Sequence, residues 1–123
     1  MNSSTDIRAE LQQIIAHASG TDSLYRHTNL LVTDGMRAVA DRGGMWWLVD
    51  AIASHQRTAA KLCGSFQVWN LEVGDDRKAR LTCTDGRDEA WYCVIQVIDW
   101  TDCPLESLRV YVSSGVLMLP GEY

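Results

Sequence analysis

The sequence contains no long apolar run. The longest runs, such as VLMLP at residues 116–120, fall far short of the roughly 20 residues that a helix needs to cross a bilayer. The first ten residues, MNSSTDIRAE, also lack the apolar segment of a signal peptide. These absences argue against a membrane partner, and we expect a cytoplasmic protein.

Basic residues are in the minority. The chain has 11 lysines and arginines against 16 acidic residues, which gives a formal net charge of -5. Nucleic-acid affinity depends largely on basic side chains that displace counterions from phosphates, so this balance argues against direct binding of DNA or RNA. The same charge favours a host protein or protein complex with a basic surface.

Sequence motifs for catalysis and phosphate binding are also absent. The chain has no Gly-x-Ser-x-Gly nucleophile motif, no Gly-x-Gly-x-x-Gly motif and no Walker sequence. Its histidines, His17, His27 and His55, lack metal-ligand spacing. We therefore expect no enzyme activity, no catalytic residue, no cofactor and no metal.

The cysteines show no Cys-x-x-Cys pair, which is the spacing of many zinc and redox sites. In a cytoplasmic protein they are expected to be reduced thiols. Such cysteines are by default small buried side chains. The four are Cys63, Cys83, Cys93 and Cys103.

What the sequence does contain is the pattern of a small α+β domain. Its 123 residues, 46% hydrophobic and 22% charged, suit one domain that folds alone or as a homo-oligomer. Periodicity predicts an N-terminal helix within residues 1–20, a helical pair over 34–60 and an antiparallel sheet over 66–119. Residues 20–33 are rich in turn formers and are expected to form a loop with a short extended piece. We expect N-terminal helices packed on a four-stranded antiparallel meander, in two layers.

The predicted strands differ in their patterns. They cover residues 66–73, 78–84, 90–100 and 107–113, with a continuation at 116–119. The second alternates cleanly with outward Lys78 and Arg80, as an edge strand does. The third is apolar on both faces, as a covered central strand is. A register with Cys83 opposite Cys93 sets apolar residues against each other along this hairpin.

Trp47 is the residue that points most clearly to a partner. On a helical wheel it falls among polar residues, away from the apolar face that contains Leu48 and Ile52. Such an indole is covered either by another part of the same chain or by a partner surface, where tryptophan is frequent among binding hot spots.

A meander also brings its first and third turns to one end of the sheet. Acidic residues would gather there, close to Arg77 and Lys78. This acidic rim is either a solvated loop edge or a docking surface for a basic partner. Together with Trp47, the rim forms the candidate partner-binding site; its members are Asp75, Asp76, Asp99, Asp102 and Glu106.

A small-ligand pocket between the helices and the sheet is the alternative. Gln56 places a polar side chain on the apolar helix face, which suits either a ligand site or a hydrogen-bonded core amide. A nucleotide-like ligand requires stacking aromatic rings and a few fixed polar groups. The residues of this alternative site are Tyr25, His27, Asp34, Gln56, Trp69 and Gln96.

Several segments together resemble a known family. They are YRH, TDGMRAVADRGGMWWLVDAIASHQ, FQVWNLEV, QVIDWTDCPLESLRVYV and GVLMLPGEY. In order and spacing they are similar to a family of small proteins encoded by bacteria, phages and plasmids that is known only as a domain of unknown function. The resemblance runs from about residue 20 to the end and leaves the helical stretch at 5–18 outside.

This resemblance implies a setting among mobile elements, where small acidic proteins often inhibit host defence, and it transfers no catalytic residue. We therefore expect a non-enzymatic protein-binding domain: a mobile-element-encoded, anti-CRISPR-like inhibitor of a host defence complex.

Overall fold

The computed structural model describes residues 3–87 and 91–123. Within these ranges the chain forms four α-helices, seven strands and a final 3-10 turn at Pro120–Glu122. The helices are α1 (Ser3–His17), α2 (Asp34–Gly43), α3 (Trp46–Ser54) and α4 (Gln56–Cys63). The strands are β1 (Leu24–His27), β2 (Leu30–Thr33), β3 (Phe66–Val73), β4 (Ala79–Thr84), β5 (Val94–Ile98), β6 (Ser107–Ser113) and β7 (Val116–Met118).

The sheet is larger and differently ordered than predicted. Its seven strands run in the order β1-β2-β7-β6-β3-β4-β5, and all neighbours are antiparallel except β2 and β7, which are parallel. The α+β class is confirmed, but the four-stranded antiparallel meander is wrong. The chain returns after β5 to place β6 beside β3, and the turn-rich stretch before α2 contains the hairpin of β1 and β2.

The predicted roles of β4 and β5 are reversed. β4 lies between β3 and β5, whereas β5 is an edge strand. The alternation of β4 separates an inward face, where Leu81 lies in the core, from an outward face, where Arg80 is exposed but Thr82 and Thr84 are buried. Alternation therefore indicated the two faces of the sheet and not an edge.

The predicted register of this hairpin is wrong by one residue. Cys83 lies opposite Val94, Leu81 opposite Gln96 and Ala79 opposite Ile98. A one-residue shift exchanges the two faces of a strand, so Ile95 and Val97 point away from the core. The strand predicted over residues 90–100 begins at Ala90, which lies outside the described residues.

The helices pack on one face of the sheet, so the predicted two layers are present. Side chains of α2 and α3 share one core with the inward side chains of β3, β4, β6 and β7. The apolar helix residues singled out by the wheel are all buried: Met45, Leu48, Val49, Ile52 and Ala59.

The predicted N-terminal helix is present as α1, although residues 1 and 2 lie outside the described part. The helical region predicted over 34–60 contains three helices, because the chain bends at His55 between α3 and α4. Within the described residues, no helix combines the length and apolar character needed to span a bilayer.

The C-terminal turn fastens the start of α2. The Glu122 carboxylate accepts hydrogen bonds from the Thr33 hydroxyl (2.6 Å) and the Gly35 backbone N–H (3.0 Å). The Thr33 hydroxyl also accepts from the Met36 backbone N–H at 3.3 Å, and so caps the helix. A Cβ at position 35 would lie 2.8 Å from the Glu122 carboxylate, so a larger residue there would have to displace the Glu122 side chain from these hydrogen bonds.

Candidate functional site

The largest group of exposed apolar side chains lies at and beside the β5 edge. Five side chains between residues 91 and 100 are 40–68% exposed. Ile95 and Val97 stand on the outer sheet face opposite Thr82 and Arg80 of β4, and the Arg80 guanidinium lies 5.3 Å from the Tyr92 ring centroid. We call this group the edge patch; its members are Trp91, Tyr92, Ile95, Val97 and Trp100.

The edge patch has the properties of an interaction surface. None of its side chains carries a charge, and five large residues at this exposure leave on the order of 500 Å² accessible. On its free side, β5 pairs with no strand of the described residues. Sequence reasoning missed the site because the available signal, a strand apolar on both faces, was interpreted as a covered central strand.

The acidic rim borders the edge patch at one end. Asp75, Asp76, Asp99 and Asp102 are exposed, and the turn that carries the first two is joined to the segment after β5 by a hydrogen bond from the Thr101 N–H to the Arg77 carbonyl (2.9 Å). The fifth member differs, because the Glu106 carboxylate lies 3.7 Å from the Arg8 guanidinium.

Arg77 holds the end of the rim in place. Its guanidinium donates to the Thr101 carbonyl (3.0 Å) and to the Cys103 carbonyl (2.6 Å). These bonds satisfy two backbone acceptors of a segment outside the sheet. They fix the chain directly after the edge patch.

Trp47 is partly buried and packs against the core. Its own chain therefore covers part of the Trp47 indole, and the rest of the side chain is accessible. The neighbouring Trp46 donates its indole N–H to the Asp41 carboxylate (2.7 Å), and its ring centroid lies 4.7 Å from that of His27.

The six residues of the alternative ligand site fall into two groups. The first group lies around β1 and β2. The Arg37 guanidinium carbon lies 4.1 Å from the centroid of the Tyr25 ring, and His27 Nε2 lies 2.6 Å from Asp50 Oδ1. Asp34 accepts from the backbone N–H of residues 22 and 23, and the first of these bonds is the main reason why its pKa lies below the usual value. Each of these side chains already has a partner in the chain.

The second group forms a polar network inside the core. The Gln56 and Gln67 amides exchange two hydrogen bonds (2.9 and 3.0 Å), and the Trp69 indole donates to Gln67 at 2.9 Å. Gln96 bonds to His55 at 2.7 Å, and the His55 ring stacks on that of Trp69 with centroids 6.0 Å apart. Gln56 is thus a hydrogen-bonded, partly buried amide.

Three cysteines from three different elements meet beside this network. Cys63 ends α4, Cys83 lies in β4 and Cys93 precedes β5. The Cys63 sulfur lies 4.0 Å from that of Cys83 and 2.8 Å from that of Cys93, and all three sulfurs lie within 4.8 Å of one another. We call this group the cysteine cluster. The predicted hairpin already brought Cys83 close to Cys93, but nothing in the sequence indicated that Cys63, which is 20 and 30 residues away, would join them.

Burial affects the pKa of two of the cluster thiols. Burial is the main cause that raises the pKa of Cys63 to about 12, and the neighbouring thiol of Cys93 adds to it. Burial likewise raises the pKa of Cys83. Cys103, the remaining thiol, is buried elsewhere, with its sulfur 3.9 Å from the Met45 sulfur.

A cleft adjoins the cysteine cluster. It has a volume of about 770 Å³, and its lining includes Cys63, Asp85, Lys61 and Arg87. The cleft therefore gives solvent access to Cys63 and places charges of both signs near it.

Comparison with known proteins gives one match. A family model described as a family of unknown function (DUF6876) matches residues 9–123. The match takes in most of α1, which the expected resemblance left outside. No curated protein and no solved structure matches the chain.

Proposed function

The chain belongs to DUF6876, a family of unknown function, and we propose that it is a non-enzymatic protein-binding domain that takes up an extended strand of a partner at the β5 edge. The observation that carries this proposal is an unpaired edge strand with two strongly exposed apolar side chains, Ile95 at 53% and Val97 at 68%.

Strand addition suits this edge for a physical reason. An edge strand presents a row of unpaired backbone N–H and C=O groups, and an added strand satisfies them while alternate side chains give specificity. Ile95 and Val97 lie on one face of β5. A partner strand would therefore place apolar side chains beside them on the outer sheet face.

The charges around the edge patch define the partner's chemistry. The patch itself is uncharged, whereas Asp75, Asp76, Asp99 and Asp102 border one end. A partner segment with an apolar, β-branched centre and lysine or arginine at the corresponding end would complement both features. A second copy of this chain fits less well, because each copy has a formal net charge of -5.

Inhibition of a host defence complex is one role that such a surface can serve. Proteins that bind nucleic acid have basic surfaces, and the acidic rim complements such a surface. In this proposal the rim directs association and the edge patch provides the contact area. Trp47, which is partly buried against the core, is not needed for strand addition at β5.

The proposal can be tested with peptides of unrestricted sequence. A library of random twelve-residue peptides would be selected on the immobilised chain, and bound peptides would be compared with those retained by the Val97→Lys variant. Gln13→Lys is the matched control, since it adds the same charge at an exposed position of α1. Hydrogen exchange would then locate the bound peptide.

We expect enriched peptides to alternate β-branched or aromatic residues and to carry lysine or arginine at one end. Their affinity should fall at least about tenfold with Val97→Lys and stay unchanged with Gln13→Lys, and protection should increase at β5. Equal enrichment on wild type and Val97→Lys would refute the proposal. If sedimentation shows a dimer of the wild type and a monomer of Val97→Lys, the strand bound at the β5 edge comes from a second copy of this chain and not from a separate partner.

A further inference from the structure

We propose that Cys63, Cys83 and Cys93 bind one zinc ion, or a similarly soft divalent ion, through their three sulfur atoms. Thiolate sulfur is the preferred ligand of such ions. The site is separate from the proposed strand-binding function and does not depend on it.

The positions of the sulfur atoms fit a tetrahedral site with a small adjustment. Around a zinc ion with Zn–S bonds of about 2.3 Å, ligand sulfurs lie about 3.8 Å apart. The Cys63–Cys83 separation of 4.0 Å matches this geometry. The Cys63–Cys93 separation of 2.8 Å must widen by about 1 Å. Cys93 lies in a bend before β5 and is only partly buried, so its side chain has room to move.

The surroundings of the cysteine cluster supply an entry path for the ion, space for a fourth ligand and nearby charged side chains. Cys63 lines the 770 Å³ cleft, which provides an entry path for the ion and space for a water molecule as fourth ligand. Three thiolates around a divalent ion leave one net negative charge. The same cleft is lined by Lys61 and Arg87 and by one carboxylate, Asp85, so its lining side chains carry one net positive charge.

Cys103 shows what a merely packed cysteine looks like in this chain. Its sulfur has the Met45 sulfur and the Leu105 carbonyl as neighbours, and the other three cysteine sulfurs are not among its contacts. The cysteine cluster instead brings together three sulfurs from separate elements. Bound metal would therefore tie the end of α4 to β4 and to the segment just before β5.

The test measures metal content directly. The full chain would be reduced, stripped of metal by a chelator and titrated with zinc chloride, with native mass spectrometry as the readout. Cobalt(II) would report the ligands, because thiolate coordination produces sulfur-to-cobalt charge-transfer absorption. The variants are Cys63→Ser and Cys93→Ser, both at partly buried positions, with Cys103→Ser as the control.

We expect one zinc per wild-type chain, and the same for Cys103→Ser. The affinity of Cys63→Ser and Cys93→Ser should be lower by about 100-fold or more, while circular dichroism confirms that they are folded. Absence of zinc from the reduced wild type would overturn the proposal. Equal zinc binding by wild type and Cys63→Ser would overturn it as well. So would a disulfide between Cys63 and Cys93 in a chain that takes up no zinc after reduction.

Discussion

β1 and β5 are the two edges of one sheet, and they differ in the charged side chains that they carry or contact. At β1, the Tyr25 ring lies under the Arg37 guanidinium, His27 pairs with Asp50, and Arg26 is exposed. β5 has no charged residue, and Ile95 and Val97 are exposed.

Charged groups on an edge discourage pairing with other chains. Charged groups lie beside β1, where Arg37 contacts Tyr25 and Asp50 contacts His27, although Leu24 is 46% exposed. Among the described residues, β5 itself carries no charged side chain. Charged side chains therefore lie beside β1 but not on β5. This difference supports the proposal that a partner strand binds at the β5 edge. The comparison therefore supports the same edge on which the proposed function rests.

The largest expected effect tests whether the two edges belong to one cooperative unit. Trp69 is fully buried in β3, between the edges, and its indole bonds to Gln67. Trp69→Ala should lower the free energy of unfolding by about 3–5 kcal/mol, measured by urea denaturation with circular dichroism. We expect a single unfolding transition. Two transitions would show that the two edges of the sheet unfold independently. Leu62→Ala, at a residue 50% exposed, should change the free energy by less than about 0.5 kcal/mol.

Arg77→Ala should affect the β5 edge more than the β1 edge. The guanidinium satisfies the carbonyls of Thr101 and Cys103, so its loss should cost about 1.5–3 kcal/mol of unfolding free energy. Hydrogen exchange should accelerate in β5 and remain unchanged in β1. Equal acceleration at both edges would contradict this local role. Lys78→Ala changes the adjacent exposed residue and provides the control.

Asp50→Asn removes one protecting charge from the β1 edge. Because the His27–Asp50 pair is largely exposed, the free energy of unfolding should fall by only about 0.2–1 kcal/mol. High salt should reduce the difference from wild type, since it screens surface charges. A difference that persists in high salt would show a role other than charge pairing. Asp22→Asn, at an exposed carboxylate, is the control.

Val97→Lys should have the smallest effect on stability. The side chain is 68% exposed, so the free energy of unfolding should stay within about 0.5 kcal/mol of wild type. A loss of several kcal/mol would show that Val97 is part of the packing and not of an open edge. The same denaturation series provides this measurement.

The sequence predicted those parts of the fold in which one face is buried and the other solvated. The bounds of β3 and β6 and the inward residues of α3 follow from such patterns. β5 has apolar residues on both of its faces, so the alternation pattern could not decide which face points to the core and therefore which register it forms with β4. Gln96 points inward because His55 supplies a partner, and this tertiary contact has no local signal.

The candidate sites were predicted less well, for the same reason. The proximity of Cys83 and Cys93 could be expected from their shared hairpin, but Cys63 joins them only through the return of α4 to the sheet. The acidic rim could be expected because two loops were assigned to one end of the sheet. The order of the strands decides which loops meet, and strand order is not encoded in periodicity.

The contact between Glu122 and the start of α2 has a consequence for biosynthesis. Thr33 and Gly35 leave the ribosome long before Glu122 is added, and β2 likewise has to wait for its neighbour β7. Helical turns can form during translation, but the N-terminal cap of α2 and the centre of the sheet can be completed only after residues 116–122 have been synthesised. A nascent chain stalled before residue 116 would keep the β1–β2 hairpin but leave the β7 side of β2 unpaired.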